Sequence, residues 1–135
     1  MTGVFEVDSV EATWAIAKTF ALTLHPGDVV CLEGDLGAGK TTFTQGLAAA
    51  LGASGRVTSP TFCLVQEHGP LVHMDLYRLH GEDDVLAIGW EDYLADGAII
   101  AVEWPERAGS LIPATAKHVR ISQASGDEAR VIEIS

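Results

Sequence analysis

A chain of 135 residues with 47% apolar residues has the material for one packed core, and no apolar run approaches the length of a membrane span. Nineteen acidic residues against eight basic ones leave a formal net charge of −11. That balance excludes binding nucleic acid by neutralising phosphates over a broad basic face, so a role in RNA metabolism would run through a protein partner; the number is equally compatible with acidity that serves only solubility. Residues 1–6 show neither a basic nor an apolar leader region, and the expectation is a cytoplasmic protein. Cys31 and Cys63 sit in apolar runs without metal-ligand spacing, which is the setting of buried free thiols.

In chain order, Phe5, Glu6 and Val7 form a short strand candidate. Asp8 reads as an N-cap with Glu11 completing a capping box, followed by a helix over residues 9–21. Val10, Trp14, Ala17 and Ala21 recur at helical spacing and mark its inner face. Residues 25–28, His-Pro-Gly-Asp, make a turn. Residues 28–33 then read as a buried strand, and residues 42–51 as a helix stopped by Gly52.

Between that strand and that helix, residues 34–41 read Gly-Asp-Leu-Gly-Ala-Gly-Lys-Thr. They fit the phosphate-binding pattern G-x-x-x-x-G-K-[ST] in its proper strand–loop–helix setting. Gly37, Ala38 and Gly39 let successive backbone N–H groups face one anionic centre. The helix N-terminus adds partial positive charge there, with Thr42 in its first turn. Lys40 is placed to reach the β- and γ-phosphates of ATP, and the Thr41 hydroxyl to ligate Mg²⁺.

Ser59, Pro60, Thr61 and Phe62 follow a loop at residues 53–55. Pro60 restricts Ser59 to extended geometry, leading into a strand over residues 62–66. On local grounds this is a loop-to-strand junction. If it faces the γ-phosphate, the Ser59 or Thr61 hydroxyl would act as a switch. Residues 71–75 form the next strand and end on Asp75, at the position where α/β sheets bind ligands. His73 within it has the setting of a hydrogen-bonded core histidine. Glu82, Asp83 and Asp84 suit a short helix start and a solvated acidic face, and residues 90–94 a second short helix.

Residues 98–103 are the most apolar run and read as a central parallel strand buried on both faces. The strand ends on Glu103, followed by Trp104, which is the form of a strand whose terminal acid holds Mg²⁺ directly or through water. Beyond Pro113, residues 118–122 and 130–134 alternate at period 2 around a turn-rich link. They predict a hairpin that extends the sheet antiparallel. Arg130 opens its second strand, at the surface or at the nucleotide. The whole is an α/β fold, a three-layer arrangement with a mostly parallel central sheet and a C-terminal antiparallel hairpin, in one domain.

The loop at 34–43, Ser-Pro-Thr-Phe at 59–62, His-Met-Asp-Leu-Tyr-Arg-Leu at 73–79 and Glu-Trp-Pro-Glu at 103–106 come in an order that closely resembles the TsaE (YjeE) family. The likeness covers nearly the whole chain. It implies a small bacterial P-loop ATPase working with the TsaB and TsaD proteins in making threonylcarbamoyladenosine on tRNA. It further implies that Lys40 and the loop hold phosphate, that Thr41 and Glu103 ligate Mg²⁺, and that Asp75 is required for hydrolysis. By the same resemblance Thr13 lies near the adenine, Trp104 lies at the site, and residues 59–62 sense the nucleotide. Ala17 stands where the family often has Gly, and Gln66, Glu67 and His68 replace a more usual Asn-Glu-Tyr.

Other functions compete. A small-molecule kinase of this architecture usually carries an Arg-rich lid, which no segment here provides. A nucleotide-dependent binding module without turnover is the third reading. Because the chain contains no Asn, the guanine-reading motif of GTPases is missing. Outside the loop the only lysines are Lys18 and Lys117. Phosphoryl transfer needs charge neutralisation in the transition state, so the expected ATPase is slow alone and stimulated by its partners, with no direct tRNA binding.

Overall fold

The computed structural model describes residues 1–35, 39–53 and 65–135. Gly37, Ala38, Ser59, Pro60, Thr61, Phe62 and Cys63 lie outside the described residues. The elements run β1 (Gly3–Val7), α1 (Val10–Ala21), β2 (Val29–Glu33), α2 (Lys40–Ala50), β3 (Val65–His68), β4 (Leu71–Asp75), α3 (Glu82–Ala87), α4 (Trp90–Ala95), β5 (Ile99–Glu103), β6 (Lys117–Gln123) and β7 (Arg130–Ile134). Two 3₁₀ turns, Pro105–Arg107 and Gly109–Leu111, link β5 to β6. Among the described residues no helix is long and apolar enough to cross a membrane.

One seven-stranded sheet has the order β1-β7-β6-β2-β5-β4-β3. The apolar β5, buried at every position, lies between β2 and β4 and is parallel to both, as its composition leads one to expect. The expectation of a mostly parallel sheet needs correcting at the edges. β6, β2, β5 and β4 form a parallel centre, whereas β3 pairs β4, β7 pairs β6 and β1 pairs β7 antiparallel. The C-terminal hairpin is likewise not joined antiparallel to the sheet. Its first strand, β6, runs parallel to β2, with Cys31 opposite His118. The reason is the link through the two 3₁₀ turns, which crosses from the end of β5 before β6 begins.

Side chains alternate between two cores. Val30, Leu32, Ala101 and Leu71 pack with α1 and α2 on one face, where Phe20, Phe43 and Leu47 are fully covered. Val29, Cys31, Val102 and Met74 pack on the other face against Val85 of α3 and Trp90 of α4. Where α1 and α2 cross, a Cβ on Gly46 would lie 3.0 Å from Ala17 and 3.1 Å from the Trp14 backbone. The missing side chain at Gly46 is what lets the helices approach so closely. It also changes the inner face of α1, which is Thr13, Ala17, Phe20 and Ala21. Trp14 is exposed at the margin and Val10 is only half-buried, against the sequence expectation.

Helix ends follow local chemistry, with one shift. The N-cap of α1 is Ser9, not Asp8. Ser9 is extended, and its hydroxyl accepts from the Ala12 amide at 3.0 Å, leaving Glu11 outside any capping box. At the end of α2, Gly52 has φ +82°. Its N–H donates to the Ala49 carbonyl, and the Ala53 N–H to that of Ala48, closing the helix in a Schellman motif. The acidic cluster is not simply solvated: Glu82 accepts from the Ser110 amide and hydroxyl, and Asp84 from the His80 amide.

Replacing Ser9 by Ala should lower unfolding free energy by about 1 kcal/mol, whereas Asp8→Ala should stay within about 0.5 kcal/mol of the parent. Urea denaturation of the two variants checks this. The opposite ranking would return the cap to Asp8.

Candidate functional site

Four strands point their carboxyl ends in one direction, and Asp75 and Glu103 end two of them there, with Lys40 beside Glu103. β2 leads into the glycine-rich loop. Gly39, with φ +107°, is the N-cap of α2 and accepts the Phe43 amide on its carbonyl at 2.9 Å. A side chain is disfavoured in that backbone conformation, which explains the glycine. Lys40 opens α2, and Thr41 and Thr42 follow half-buried in its first turn.

On β4 and β5, Asp75 and Glu103 face each other in register. Strand periodicity puts Leu71, His73 and Asp75 on one face of the sheet, with Ile99, Ala101 and Glu103 beside them. That is the face packed on α2. Glu103 is 7% exposed, so its charge needs partners. One oxygen lies 3.2 Å from Lys40 Nζ and the other 2.7 Å from His73 Nε2. Asp75 is less buried, and one of its oxygens accepts from the Tyr77 amide at 3.0 Å.

Burial alone would raise the Glu103 pKa. The His73 hydrogen bond and the neighbouring charges of His73 and Lys40 outweigh burial and hold it below the ordinary value of 4.5. Cys31, beneath the same strand ends, is pushed up to about 11 by burial and by Glu33 and Glu106. It is therefore an unreactive thiol at neutral pH.

Trp104 is the only non-glycine residue with positive φ among the described residues, at φ 58° and ψ 53°. Its ring is 41% exposed, lies 4.9 Å from the Tyr77 ring and has the Arg107 guanidinium over it at 5.9 Å. Lys40 and Trp104 line a pocket of about 610 Å³ with Glu33, Asp35, Glu106 and Arg120 among its walls.

Among the sequence candidates, Lys40 and Glu103 meet directly, Asp75 lies beside Glu103 in the strand register, and Gly39, Thr41, Thr42 and Trp104 adjoin Lys40 and Glu103 along the chain. Arg130 also comes close: a Cβ on Gly39 would lie 3.8 Å from its Nε. Its Nη1 donates to the Asp127 and Ala129 carbonyls at 2.9 Å, which holds the guanidinium at the start of β7. Thr13 is buried in α1. His73 is the hydrogen-bonded core histidine that the sequence led one to expect, but its partner Glu103 was not foreseen, and neither Tyr77 nor Arg107 was given a role. The available signal was parity, since His73 shares a sheet face with Asp75.

Residues 7–132 match the family described as "Threonylcarbamoyl adenosine biosynthesis protein TsaE". The tRNA threonylcarbamoyladenosine biosynthesis protein TsaE of Bacillus subtilis is 42% identical over 125 residues, covering 90% of this chain and 78% of that protein. The protein of the same name from Nostoc is 43% identical over 114 residues, covering 79% and 70%. The crystal structure of Bacillus subtilis YdiB superposes with a TM-score of 0.79 at 33% identity, over 100% of this chain and 86% of that one.

A carboxylate with a depressed folded pKa contributes stability above its unfolded value, and that stability is lost as pH falls through the folded value. The thermal stability of the parent should therefore fall as pH drops below about 4.5, and Glu103→Gln should flatten that part of the curve. Parallel curves for the two proteins would show that Glu103 does not drive the acid sensitivity.

Proposed function

This chain belongs to the TsaE family, and from that premise we propose that it is a P-loop ATPase. It acts with the TsaB and TsaD proteins in making threonylcarbamoyladenosine on tRNA. The observation that carries the reading is the contact of Lys40, at the start of α2 and in the wall of a pocket of about 610 Å³, with Glu103 at the parallel strand ends, where Asp75 lies beside it in register. In this reading Lys40 and the loop amides hold the β- and γ-phosphates, with Thr42 and Arg130 at the nucleotide and Thr13 near the adenine. Trp104 walls the site, and residues 59–62 are the nucleotide-sensing segment.

The residues fit a magnesium ion. The Thr41 hydroxyl and the Glu103 carboxylate are hard oxygen donors. No cluster of three or more His, Cys, Asp or Glu among the described residues makes a closed protein cage. Few protein ligands, completed by phosphate and water, are the usual arrangement for Mg²⁺. When bound, the ion would neutralise charge on the phosphates. Lys40 contacts one Glu103 oxygen, and its ammonium, with three hydrogens to donate, would turn toward phosphate when a nucleotide binds. Asp75, in register beside Glu103, would serve hydrolysis by positioning water or metal.

The pocket walls favour slow turnover by the isolated chain. Glu33, Asp35, Glu106 and Glu133 outnumber Lys40 and Arg120 there, and a polyanion entering such a site is opposed by its charge. A cationic group contributed by a partner would relieve that opposition in the transition state.

Phosphate release should be slow for the protein alone and rise when TsaB and TsaD are added. Lys40→Ala should lower it by about 100-fold or more, with ATP affinity reduced in calorimetry. Unchanged turnover and affinity in Lys40→Ala would defeat the nucleotide assignment. A phosphorylated metabolite among the products would point to a kinase instead.

A further inference from the structure

His73 has no part in the chemistry above, yet its placement is costly. Its side chain is completely buried on β4. Because an ionised carboxylate only accepts, Nε2 carries the hydrogen and donates to Glu103 Oε2. The other ring nitrogen, Nδ1, is buried with no hydrogen-bond partner among the described residues. A half-matched polar ring is a liability where its neighbours on the same sheet face, Leu71 and Ala101, are apolar and fully buried. The register explains how the contact forms. His73 lies directly opposite Ala101, and Glu103 is the diagonal neighbour two residues on. The small Ala101 side chain leaves room for the imidazole to lean toward the carboxylate.

We propose that His73 is the positioning residue of the site. It locks Glu103 Oε2 and so presents Oε1 alone to Lys40 and, on the nucleotide reading above, to the magnesium–phosphate group. The two oxygens of Glu103 thus divide their work. Oε2 is an anchor whose partner is fixed in the sheet, 30 residues away in sequence. Oε1 is the working oxygen, whose partner Lys40 sits at the start of a helix and has a flexible stem. Without the anchor, the carboxylate would be free to rotate about its terminal torsion, which is broad and two-fold. Either oxygen would then meet Lys40, and the geometry offered to the ion would be an average.

Two substitutions separate positioning from packing. A glutamine amide nitrogen reaches the place of Nε2, and an asparagine amide reaches only that of Nδ1. Both are polar and smaller than the imidazole. The first arm uses nucleotide-free protein and reads the Glu103 carboxylate carbon by NMR. Parent and His73→Gln should share one distinctive resonance, and His73→Asn should move toward the value of an exposed glutamate. The second arm measures binding of a fluorescent ADP analogue in EDTA and across a Mg²⁺ titration. His73→Asn should keep its EDTA affinity within about twofold, lose about tenfold or more of the tightening by Mg²⁺, and be rescued by His73→Gln. An unmoved Glu103 resonance in His73→Asn overturns the proposal, as does equal Mg²⁺ dependence in the two variants. If His73→Asn does not fold, His73→Gln decides alone: a parent-like resonance and Mg²⁺ dependence support the role, and their loss overturns it. A parent that binds no nucleotide would defeat the function proposed above, while the NMR arm still decides what His73 does.

Discussion

A charged carboxylate buried at the end of a central strand is tolerated only if the fold matches both of its oxygens. Leaving one partner out of a buried ion pair costs about 3–5 kcal/mol, a large part of the stability of a domain this size. Glu103 meets that constraint with His73 from β4 and Lys40 from α2. The requirement reaches far along the chain. β5 must lie between β2 and β4, both neighbours must run parallel to it, and α2 must start beside the strand ends. The observed order β2-β5-β4 and the N-cap at Gly39 satisfy all three.

The chain beyond Glu103 is governed by the same constraint. The Glu103 backbone carbonyl accepts the Leu76 amide at 3.1 Å, tying the two acid-ended strands together one residue beyond their ladder. The backbone then turns away at Trp104 in a left-handed conformation that costs a bulky residue of the order of 1–3 kcal/mol. Tyr77 and Arg107 both lie against the Trp104 ring and offset part of that cost. Further along, Glu82 of α3 holds Ser110 in the second 3₁₀ turn. The link from β5 to β6 is thus fastened at both ends, which fits its task of carrying the chain across the sheet.

The strand pattern of the centre was legible because its physics is local. Apolar runs that follow a glycine-containing turn and end on a carboxylate mark β4 and β5 directly, and the loop motif identifies its own strand and helix. Partner choice was not legible where it depends on distant packing. Nothing near β6 says that it will lie parallel to β2, because its neighbours alternate as any half-exposed hairpin does. The inner face of α1 shifted because Gly46, on another helix, decides how closely the two can approach. Ser9 displaced Asp8 as cap by a single residue, a distinction that two adjacent capping side chains leave open. His73 was legible as a hydrogen-bonded core residue but its partner was not: Glu103 is 30 residues away, and only the strand register reveals that they share a face. Family resemblance supplied roles for Thr13 and Trp104 that no local pattern would have suggested.

The arrangement around Glu103 also constrains how a nucleotide would act on the rest of the molecule. If phosphate takes Lys40, the buried carboxylate loses one of its two partners while His73 remains. The charge left on Oε1 has to be matched in place, because the strand end cannot move without breaking the ladders to β2 and β4. A divalent cation arriving with the phosphates is a suitable replacement, being attracted by the acidic walls that oppose the phosphates themselves. Phosphate and cation would then bind as a coupled pair: phosphate draws Lys40 away, and the cation satisfies the carboxylate that Lys40 leaves. The reciprocity of linked equilibria requires each to strengthen the other by the same factor. The acidity of the site, which looks ill-suited to a polyanion, becomes the source of that coupling.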